Sequence, residues 1–582
     1  MIINFLKCKF LKLFNLNMKE YKIKHIDIEN LQVNFYTVYK NNNIVENKYR
    51  KDLSNKIINR FGKQHNTKET LEIFEFSKEY FIKNFVELCH TMNDVWFYRT
   101  IMGLHEQSLS IAWYSEDCEF PKEVNMSYIA LYRRILKLIL EEATLIDLIE
   151  TTPKDLNYIQ ANYLPILNEL IFLGDFAYSC QELLSEQYLM DNIATVEFDE
   201  NNQYIFTRHE SYNALLSHIQ EKHGIHQFKH GVDLKKELSD LHEALEKCIN
   251  LSSFKNNFID AIGFIHKKLS PKYPELGQYT GFELNYLFEL INKKTGVDLL
   301  IIEKVFSGII INRSNKRDIR EVIKKPYDIL RYNFRPVAIW KVNNIDRAFI
   351  GHKSLAQSFI KLSTEAIPYN KIPKEWDIPC FRKYMNNKTD EHDSWLDNEV
   401  EKRIIELNHE NIIYYKNQKH LKTNDGGFSL EVKDIGEVDF IIINKSLKRV
   451  FIIDCKNLRP GYDMTTLSHD RSKFEKDEKS YNTQLDKKVK WFQENKIKLQ
   501  EHLKNESQIN LNLLDFSVEG FFITTTYTMY MYYSNTYKIY PVNWFTGVIT
   551  GNTLYPDIIT VHINNTTTYQ MTFPYFKNLG DL

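Results

Sequence analysis

Glycine, proline and cysteine are scarce in this sequence, whose 582 residues include 19 glycines, 14 prolines and seven cysteines. So few glycines and prolines exclude long flexible linkers and favour packed domains. The cysteines are scattered, and no two form a Cys-x-x-Cys pair, which excludes a zinc ribbon. This usage predicts a reducing compartment, by default the cytoplasm, and no disulfide framework.

The chain also lacks an excess of charge of either sign and any long apolar run. Its 75 basic residues balance 76 acidic ones, so the protein does not coat nucleic acid over its whole surface, although a local basic surface remains open. No stretch is apolar over the roughly 20 residues that cross a bilayer, so we expect no membrane partner. For the apolar start, residues 1–17, two interpretations stay open: Met18 is the true start, or the segment is an amphipathic helix.

What is present predicts an α+β multi-domain protein. The length suffices for about two to four domains. Apolar residues recur near a 3.6-residue period over most of 67–190, which predicts helices, and "TVEFDENNQYIFTRHE" then predicts a hairpin. We therefore predict a mainly helical N-terminal region over residues 1–370, of unknown role, which subdivides near 190–230 and has a β-containing part near 325–355.

A change of texture follows "AIPYNKIPKEWDIPCFRKYMNNKTDEHD", a segment with three prolines and a mixed-charge end. Such punctuation is typical of a boundary, and we predict a linker over residues 371–390. Beyond it, helix and strand patterns alternate. Residues 391–582 are therefore predicted to form an α/β domain with a mixed sheet flanked by helices.

Two strand-like runs in this domain end in charge. "GEVDFIIIN" (436–444) and "RVFIIDCKN" (449–457) are separated by four residues and predict a β-hairpin. If these four residues form the loop, Asn444 pairs with Arg449, and Asp439 falls opposite Asp454. Opposed residues point to the same face with Cβ atoms about 4.5–5.5 Å apart. A slip of one residue would turn Asp439 to the other face.

Alternation along the strand adds Lys456 to the face of Asp454. Two carboxylates and an ammonium then converge at one end of an apolar hairpin. Facing carboxylates repel each other unless one stays protonated or a cation lies between them, and oxygen ligands of this kind suit Mg²⁺. The alternative is a surface hairpin with solvated charges, in which Lys456 pairs with Asp454.

A third acid is expected from the preceding helix, "DSWLDNEVEKRIIELNHENI". Glu401 borders the apolar stripe formed by Val400, Ile404 and Leu407, and we favour it over Glu399. Both acids could equally be plain solvated residues of the helix.

This combination resembles the PD-(D/E)xK nuclease superfamily, which has the restriction-endonuclease-like fold. The carrying residues are "GEVDFIII" and, 15 residues after its Asp439, the Asp454-Cys455-Lys456 motif. The resemblance covers roughly residues 390–535, and Val438 replaces the proline that often precedes the first acid. It implies that Asp439, Asp454 and the backbone carbonyl of Cys455 bind Mg²⁺, for which Mn²⁺ can substitute. It further implies that Lys456 orients or deprotonates the attacking water.

The next helix carries Leu485, Val489 and Phe492 at a spacing that predicts packing on the sheet. Relatives often turn polar residues of this helix toward the active site, so Gln484 and Lys488 are candidate substrate contacts. The alternative is an ordinary solvated helix face.

These observations predict a Mg²⁺-dependent DNA endonuclease of restriction or phage defence, with an N-terminal region for recognition or regulation. A catalytically inactive DNA-binding or assembly module is the main alternative, and a nuclease for RNA or branched DNA is a further one. A homo-oligomer or a partner protein stays open. One weaker pattern, with His218, His223, His226 and His230, predicts a polar loop rather than a zinc site, because Gly224 breaks any helix and no cysteine lies nearby.

Overall fold

The fold is described from a computed structural model. It describes residues 24–28, 31–37, 43–114, 126–189, 194–208, 233–249, 279–325, 327–431, 435–458, 464–475, 478–525, 528, 536–552, 558–562 and 568–572. The protein is α+β, as predicted. The N-terminal unit comprises Met1–Leu184, Val196–Thr207 and Gly231–Thr389, and the C-terminal unit comprises Ser185–Thr195, Arg208–His230 and Asp390–Leu582.

Helices dominate the described part of the chain up to residue 389. Those that begin there are α1 (Asn43–Phe61), α2 (Thr67–Thr91), α3 (Val95–Tyr114), α4 (Met126–Glu142), α5 (Leu156–Tyr158), α6 (Leu164–Leu189), α7 (Leu234–Ile249), α8 (Leu284–Thr295), α9 (Leu299–Ser307), α10 (Ile319–Lys324), α11 (His352–Lys361) and α12 (Pro379–Leu407). The strands are β1 (Lys24–Ile28), β2 (Leu31–Thr37), β3 (Asp147–Leu148), β4 (Ala194–Phe198), β5 (Tyr204–Arg208), β6 (Tyr279–Glu283), β7 (Ile310–Ile311), β8 (Val337–Val342) and β9 (Ile345–Gly351).

The N-terminal unit is organised around a sheet of order β3-β8-β9-β6, with β7 pairing to β8. At its centre, β8 and β9 form an antiparallel hairpin whose two-residue turn is Asn343-Asn344. Both asparagines have positive φ, 50° and 65°, which a two-residue turn between twisted strands requires and asparagine tolerates. This hairpin is the β-containing part expected near residues 325–355.

The segment predicted as a linker, residues 371–390, is packed structure. It holds a short 3-10 helix, Lys374–Trp376, and the first twelve residues of α12. Trp376 is fully buried and donates a hydrogen bond to Val305 O. Pro379 opens α12, where a missing N–H costs nothing, and the boundary between the two units falls between Thr389 and Asp390, within the predicted segment.

A disulfide joins Cys248 to Cys380 within the N-terminal unit. The sequence analysis predicted no disulfide framework, and this one bond is a departure from that expectation. The two cysteines lie 132 residues apart in the sequence, and only the packing of α7 beside the start of α12 brings them together. No local spacing could have indicated this pair.

The remaining elements lie in the C-terminal unit. The strands are β10 (Ile412–Gln418), β11 (His420–Leu421), β12 (Phe428–Ser429), β13 (Val438–Asn444), β14 (Arg449–Lys456), β15 (Ser517–Thr524), β16 (Lys538–Pro541), β17 (Ile558–His562) and β18 (Thr568–Thr572). The helices are α13 (Met464–Glu475), α14 (Tyr481–Glu494), α15 (Lys496–Ser507) and α16 (Phe545–Ile549).

A mixed five-stranded sheet of order β10-β13-β14-β15-β16 forms the core of this unit. The first three strands are antiparallel, whereas β15 runs parallel to β14 and β16. On one face, Leu396, Val400 and Ile404 of α12 pack into a cluster with Phe440, Phe451 and other apolar side chains of the sheet.

Helix α14 packs on the other face. Its residues Leu485, Val489 and Phe492 are all buried, as their spacing predicted. Gly520 of β15 permits this close approach, because a Cβ atom there would lie 2.5 Å from a methyl group of Val489. Among the described helices, none is both long enough and apolar enough to cross a bilayer.

Candidate functional site

The β13–β14 hairpin has the predicted register. Asn444 pairs with Arg449, and the ladder continues without a shift to Phe440 and Ile453. The fully buried Asn444 holds the four-residue turn: its Oδ1 accepts from Leu447 N at 2.9 Å and Ser446 Oγ at 2.8 Å, and its Nδ2 donates to Ile549 O at 2.8 Å. A side chain that bonds the turn on one side and the core on the other fixes the register.

The register brings Asp439 and Asp454 together at the end of the hairpin. Asp439 is half-buried, and its Oδ2 accepts a hydrogen bond from Cys455 N at 2.6 Å. Asp454 is fully buried. Burial and the charge of Asp454 raise the pKa of Asp439 to about 7. Ionisation of Asp439 is therefore disfavoured while Asp454 is charged.

Two lysines hold Asp454 in its charged form. Lys488 Nζ of α14 donates to Asp454 Oδ1 at 2.6 Å, and Lys456 Nζ lies 3.4 Å from Oδ2. Burial opposes ionisation, but the two ammonium groups outweigh it and lower the pKa of Asp454. Oδ2 has no hydrogen-bond partner among the described residues, although it is buried.

Lys456 lies on the same face as Asp454, as the alternation predicted. Its Nζ stands 5.0 Å from the centre of the Tyr481 ring, and 18% of the side chain is exposed. Burial lowers its pKa, but Asp454 and Asp439 raise it further, and the net shift is upward. Lys456 is therefore an ammonium that is held by acids yet still reachable from solvent.

The third acid near the pair is Asp397 rather than Glu401 or Glu399. Oxygen atoms of Asp397 and Asp439 and the Sγ of Cys455 all lie within 4.8 Å of one another. Burial raises the pKa of Asp397. Asp397 precedes Glu401 by one helical turn, on the same side of α12.

Both expected glutamates are engaged elsewhere. Glu401 accepts from Lys416 Nζ at 2.8 Å and from Tyr414 OH at 3.4 Å, and Glu399 pairs with Arg403 at 2.8 Å. The apolar stripe of α12 is packed on the sheet as expected, and the acid beside the hairpin end lies one turn before Glu401. The turn of α12 that lies beside the hairpin end is set by the position of the helix along the sheet. Hydrophobic periodicity does not specify that position.

Cys455 contributes its side chain to this cluster, whereas the sequence pointed to its backbone carbonyl. Burial, Asp439 and Asp397 raise the pKa of the thiol well above its ordinary value, so the sulfur carries a proton. A protonated thiol is a poor ligand for a hard cation. Its role beside Asp397 is that of a hydrogen-bond donor.

The two candidate substrate contacts on α14 lie in different environments. Lys488 is buried and bound to Asp454, so it belongs to the site itself. Gln484 is exposed, and its Nε2 donates to Lys479 O at 2.7 Å, just before the start of α14. The structure does not bring Gln484 to the carboxylates.

The strand end is held in place by Asn457. Its Nδ2 donates to His392 O of α12 at 2.8 Å, and its Oδ1 accepts from Thr525 Oγ1 at 3.1 Å. One side chain thus links α12, β14 and the end of β15. Sequence reasoning did not assign this residue, although an amide directly after the Asp-x-Lys motif was visible.

The donor set fits a hard divalent cation. Asp397, Asp439 and Asp454 supply carboxylate oxygens, the Asp454 Oδ2 lacks a hydrogen-bond donor in the described structure, and burial together with the charge of Asp454 raises the pKa of Asp439. Asp454 is not among the ligand atoms that lie within 4.8 Å of one another, and its Oδ1 accepts from Lys488 Nζ. The four histidines of residues 218–230 lie outside the described residues.

No protein-family model, no curated protein and no solved structure matches this chain.

Proposed function

We propose that the C-terminal unit is a divalent-metal-dependent nuclease that hydrolyses phosphodiester bonds of DNA, in restriction or phage defence. The observation that carries this proposal is the buried Asp439–Asp454 pair with Lys456 on the same face. The mixed sheet, with α12 on one face and α14 on the other, also accords with the restriction-endonuclease-like fold that the sequence resembles.

Asp397, Asp439 and Asp454 would hold Mg²⁺ or Mn²⁺. When bound, such an ion lowers the pKa of a water molecule and neutralises charge that develops at the phosphate. Lys488 keeps Asp454 ionised and oriented through the 2.6 Å hydrogen bond. Because Lys456 is an accessible ammonium, it is suited to orient water and to offset charge on a phosphate oxygen.

The test is cleavage of supercoiled plasmid, linear duplex, single-stranded DNA and RNA with Mg²⁺, Mn²⁺ or EDTA. We expect metal-dependent cutting of DNA, and we expect Asp454→Asn and Lys456→Met each to lower the rate about 10²–10⁴-fold. Asp515→Asn and Lys504→Met are matched controls, because both residues are exposed and lie in the same unit. They should cut like the wild type.

Three outcomes would contradict this proposal. Cutting that persists in EDTA, or in both site variants, removes the assigned residues from catalysis. Binding of DNA without cutting under any condition supports the inactive DNA-binding module. Faster cutting of RNA or of a branched junction than of duplex DNA transfers the activity to that substrate.

A further inference from the structure

A second group of charged side chains lies in the N-terminal unit, far along the sequence from the carboxylates of the C-terminal unit. In this group positive side chains are in excess. Arg133 and Lys137 stand four residues apart on α4, so their side chains share one face of the helix. Both are half-buried. Burial lowers the pKa of Arg133 to about 10 and that of Lys137 well below its ordinary value.

Neither cation has a carboxylate partner among the described residues. Arg133 Nη1 donates only to the backbone oxygen of Ser108, at 3.3 Å. Lys137 makes no hydrogen bond or ion pair within the described ranges. Burial without a counter-charge disfavours the charged forms of both side chains, so a negative ligand beside this helix face would be stabilised and would restore their charge.

The acids nearby are already committed. Glu141 accepts from Arg331 Nε at 2.8 and 3.1 Å and from Tyr332 N at 2.8 Å. Glu365 accepts from Lys361 Nζ at 3.0 Å through both of its oxygens. Arg331 and Lys361 also lower the pKa of Lys137, and the opposing influence of Glu141 is weaker than theirs.

Glu106, the other acid of this region, is bound at the start of α11. It accepts from Lys353 N at 2.7 Å, from Ser354 N at 3.2 Å and from Ser354 Oγ. Within the part of the chain that the structure describes, Glu106 accepts no hydrogen bond from Arg133 or Lys137.

His105 adds an independent polar atom to this place. Its ring is buried, its Nδ1 lies 3.2 Å from Ser354 Oγ, and its Nε2 has no hydrogen-bond partner in the described residues. Because Ser354 Oγ donates its hydrogen to Glu106, it accepts from Nδ1–H, and Nε2 is then a bare acceptor. Burial lowers the pKa of His105 to about 4, and Lys137 and Arg133 contribute to this shift, so they lie close to the ring.

We propose that Arg133, Lys137 and His105 form a binding site for a phosphate group, as hydrogen phosphate or a phosphate monoester. A phosphate carries up to two negative charges and several acceptor oxygens, which match one guanidinium and one ammonium. A P–OH or ligand hydroxyl supplies the hydrogen that Nε2 lacks. A carboxylate would offer a single charge and no donor.

The experiment is thermal unfolding of the full chain in sodium phosphate, AMP, sodium sulfate and sodium chloride at equal ionic strength near pH 7. We expect phosphate or AMP to raise the unfolding temperature more than sulfate, which has no hydrogen to donate, and chloride to have no effect. A larger rise with AMP assigns the site to a phosphate ester, and a larger rise with inorganic phosphate assigns it to the free ion.

Titration calorimetry with the better of the two probes should show at least tenfold weaker binding by Lys137→Met and Arg133→Gln. Lys51→Met is the matched control, because Lys51 is an exposed lysine of the same unit. Without ligand, Lys137→Met should unfold at the same temperature as the wild type or higher, which also shows that it folds. Equal responses to all four salts, or unchanged binding by both variants, would overturn the proposal.

Discussion

Both units bury charged side chains, but they satisfy them differently. In the N-terminal unit, the buried Arg331 is matched by Glu141, and the fully buried Arg335 binds both oxygens of Glu375 at 3.0 and 2.7 Å. In the C-terminal unit, Asp439 faces a second carboxylate. Pairs of the first kind hold a fold together, whereas like charges in contact store repulsion that a ligand can relieve.

We expect the greatest loss of stability when a buried ion pair of the N-terminal unit is broken. Glu141→Gln leaves the buried Arg331 beside Lys137 and Arg133 without a counter-charge, so the free energy of unfolding should fall by about 3–5 kcal/mol. Denaturant unfolding measures this loss. Glu321→Gln removes an exposed pair with Lys325 and should cost less than about 1 kcal/mol. Equal losses in the two variants would contradict the distinction.

The next effect concerns the C-terminal unit, where removing a charge should change activity more than stability. Lys488→Met takes away the hydrogen bond that orients Asp454 and keeps it ionised. We expect cleavage to slow about 10–100-fold, and the acidic limb of its pH–rate profile to move to higher pH. A slower rate with an unmoved profile would mean that Lys488 acts only through packing.

The hairpin turn gives a smaller, purely structural effect in the same unit. Asn444→Ala removes the acceptor for Leu447 N and the donor for Ile549 O, so unfolding free energy should fall by about 1–2 kcal/mol. Ser446→Ala removes one hydrogen bond at the surface and should fall within about 0.5 kcal/mol of the wild type. Hydrogen exchange of 438–456 peptides would report whether the loss is local to the hairpin.

A further difference between the units is their response to pH, measured in EDTA. Asp439 has a pKa of about 7 when folded and an ordinary value of 3.8, so the folded state holds more protons and stability falls as pH rises from 4 to 7. His105 has a folded pKa of about 4 against 6.5, so stability rises over pH 4 to 6.5.

Unit-resolved hydrogen exchange between pH 4 and 7 separates these two slopes. Asp439→Asn should remove the fall in the C-terminal unit and leave the slope of the N-terminal unit unchanged. A slope that survives in Asp439→Asn belongs to another group.

Sequence reasoning succeeded where the determining interactions are local. A four-residue loop and strict alternation were enough for the register that sets Asp439 beside Asp454. The stripe of Leu485, Val489 and Phe492 likewise decided which face of α14 is buried. It did not point to Asp397, because Asp397 and Glu401 lie on the same helix face and differ only by one turn along it.

The α+β class, the hairpin register and the acid-lysine face could therefore be predicted from local sequence patterns, since each depends on residues within a few positions of one another. Only the tertiary structure decided the Cys248–Cys380 disulfide, the contact of Lys488 with Asp454, and the ion pair of Glu141 with Arg331. These partners are 132, 34 and 190 residues apart, respectively. Such contacts depend on how whole elements slide and rotate against each other, and hydrophobic periodicity specifies the buried face of an element but not its position along its neighbour.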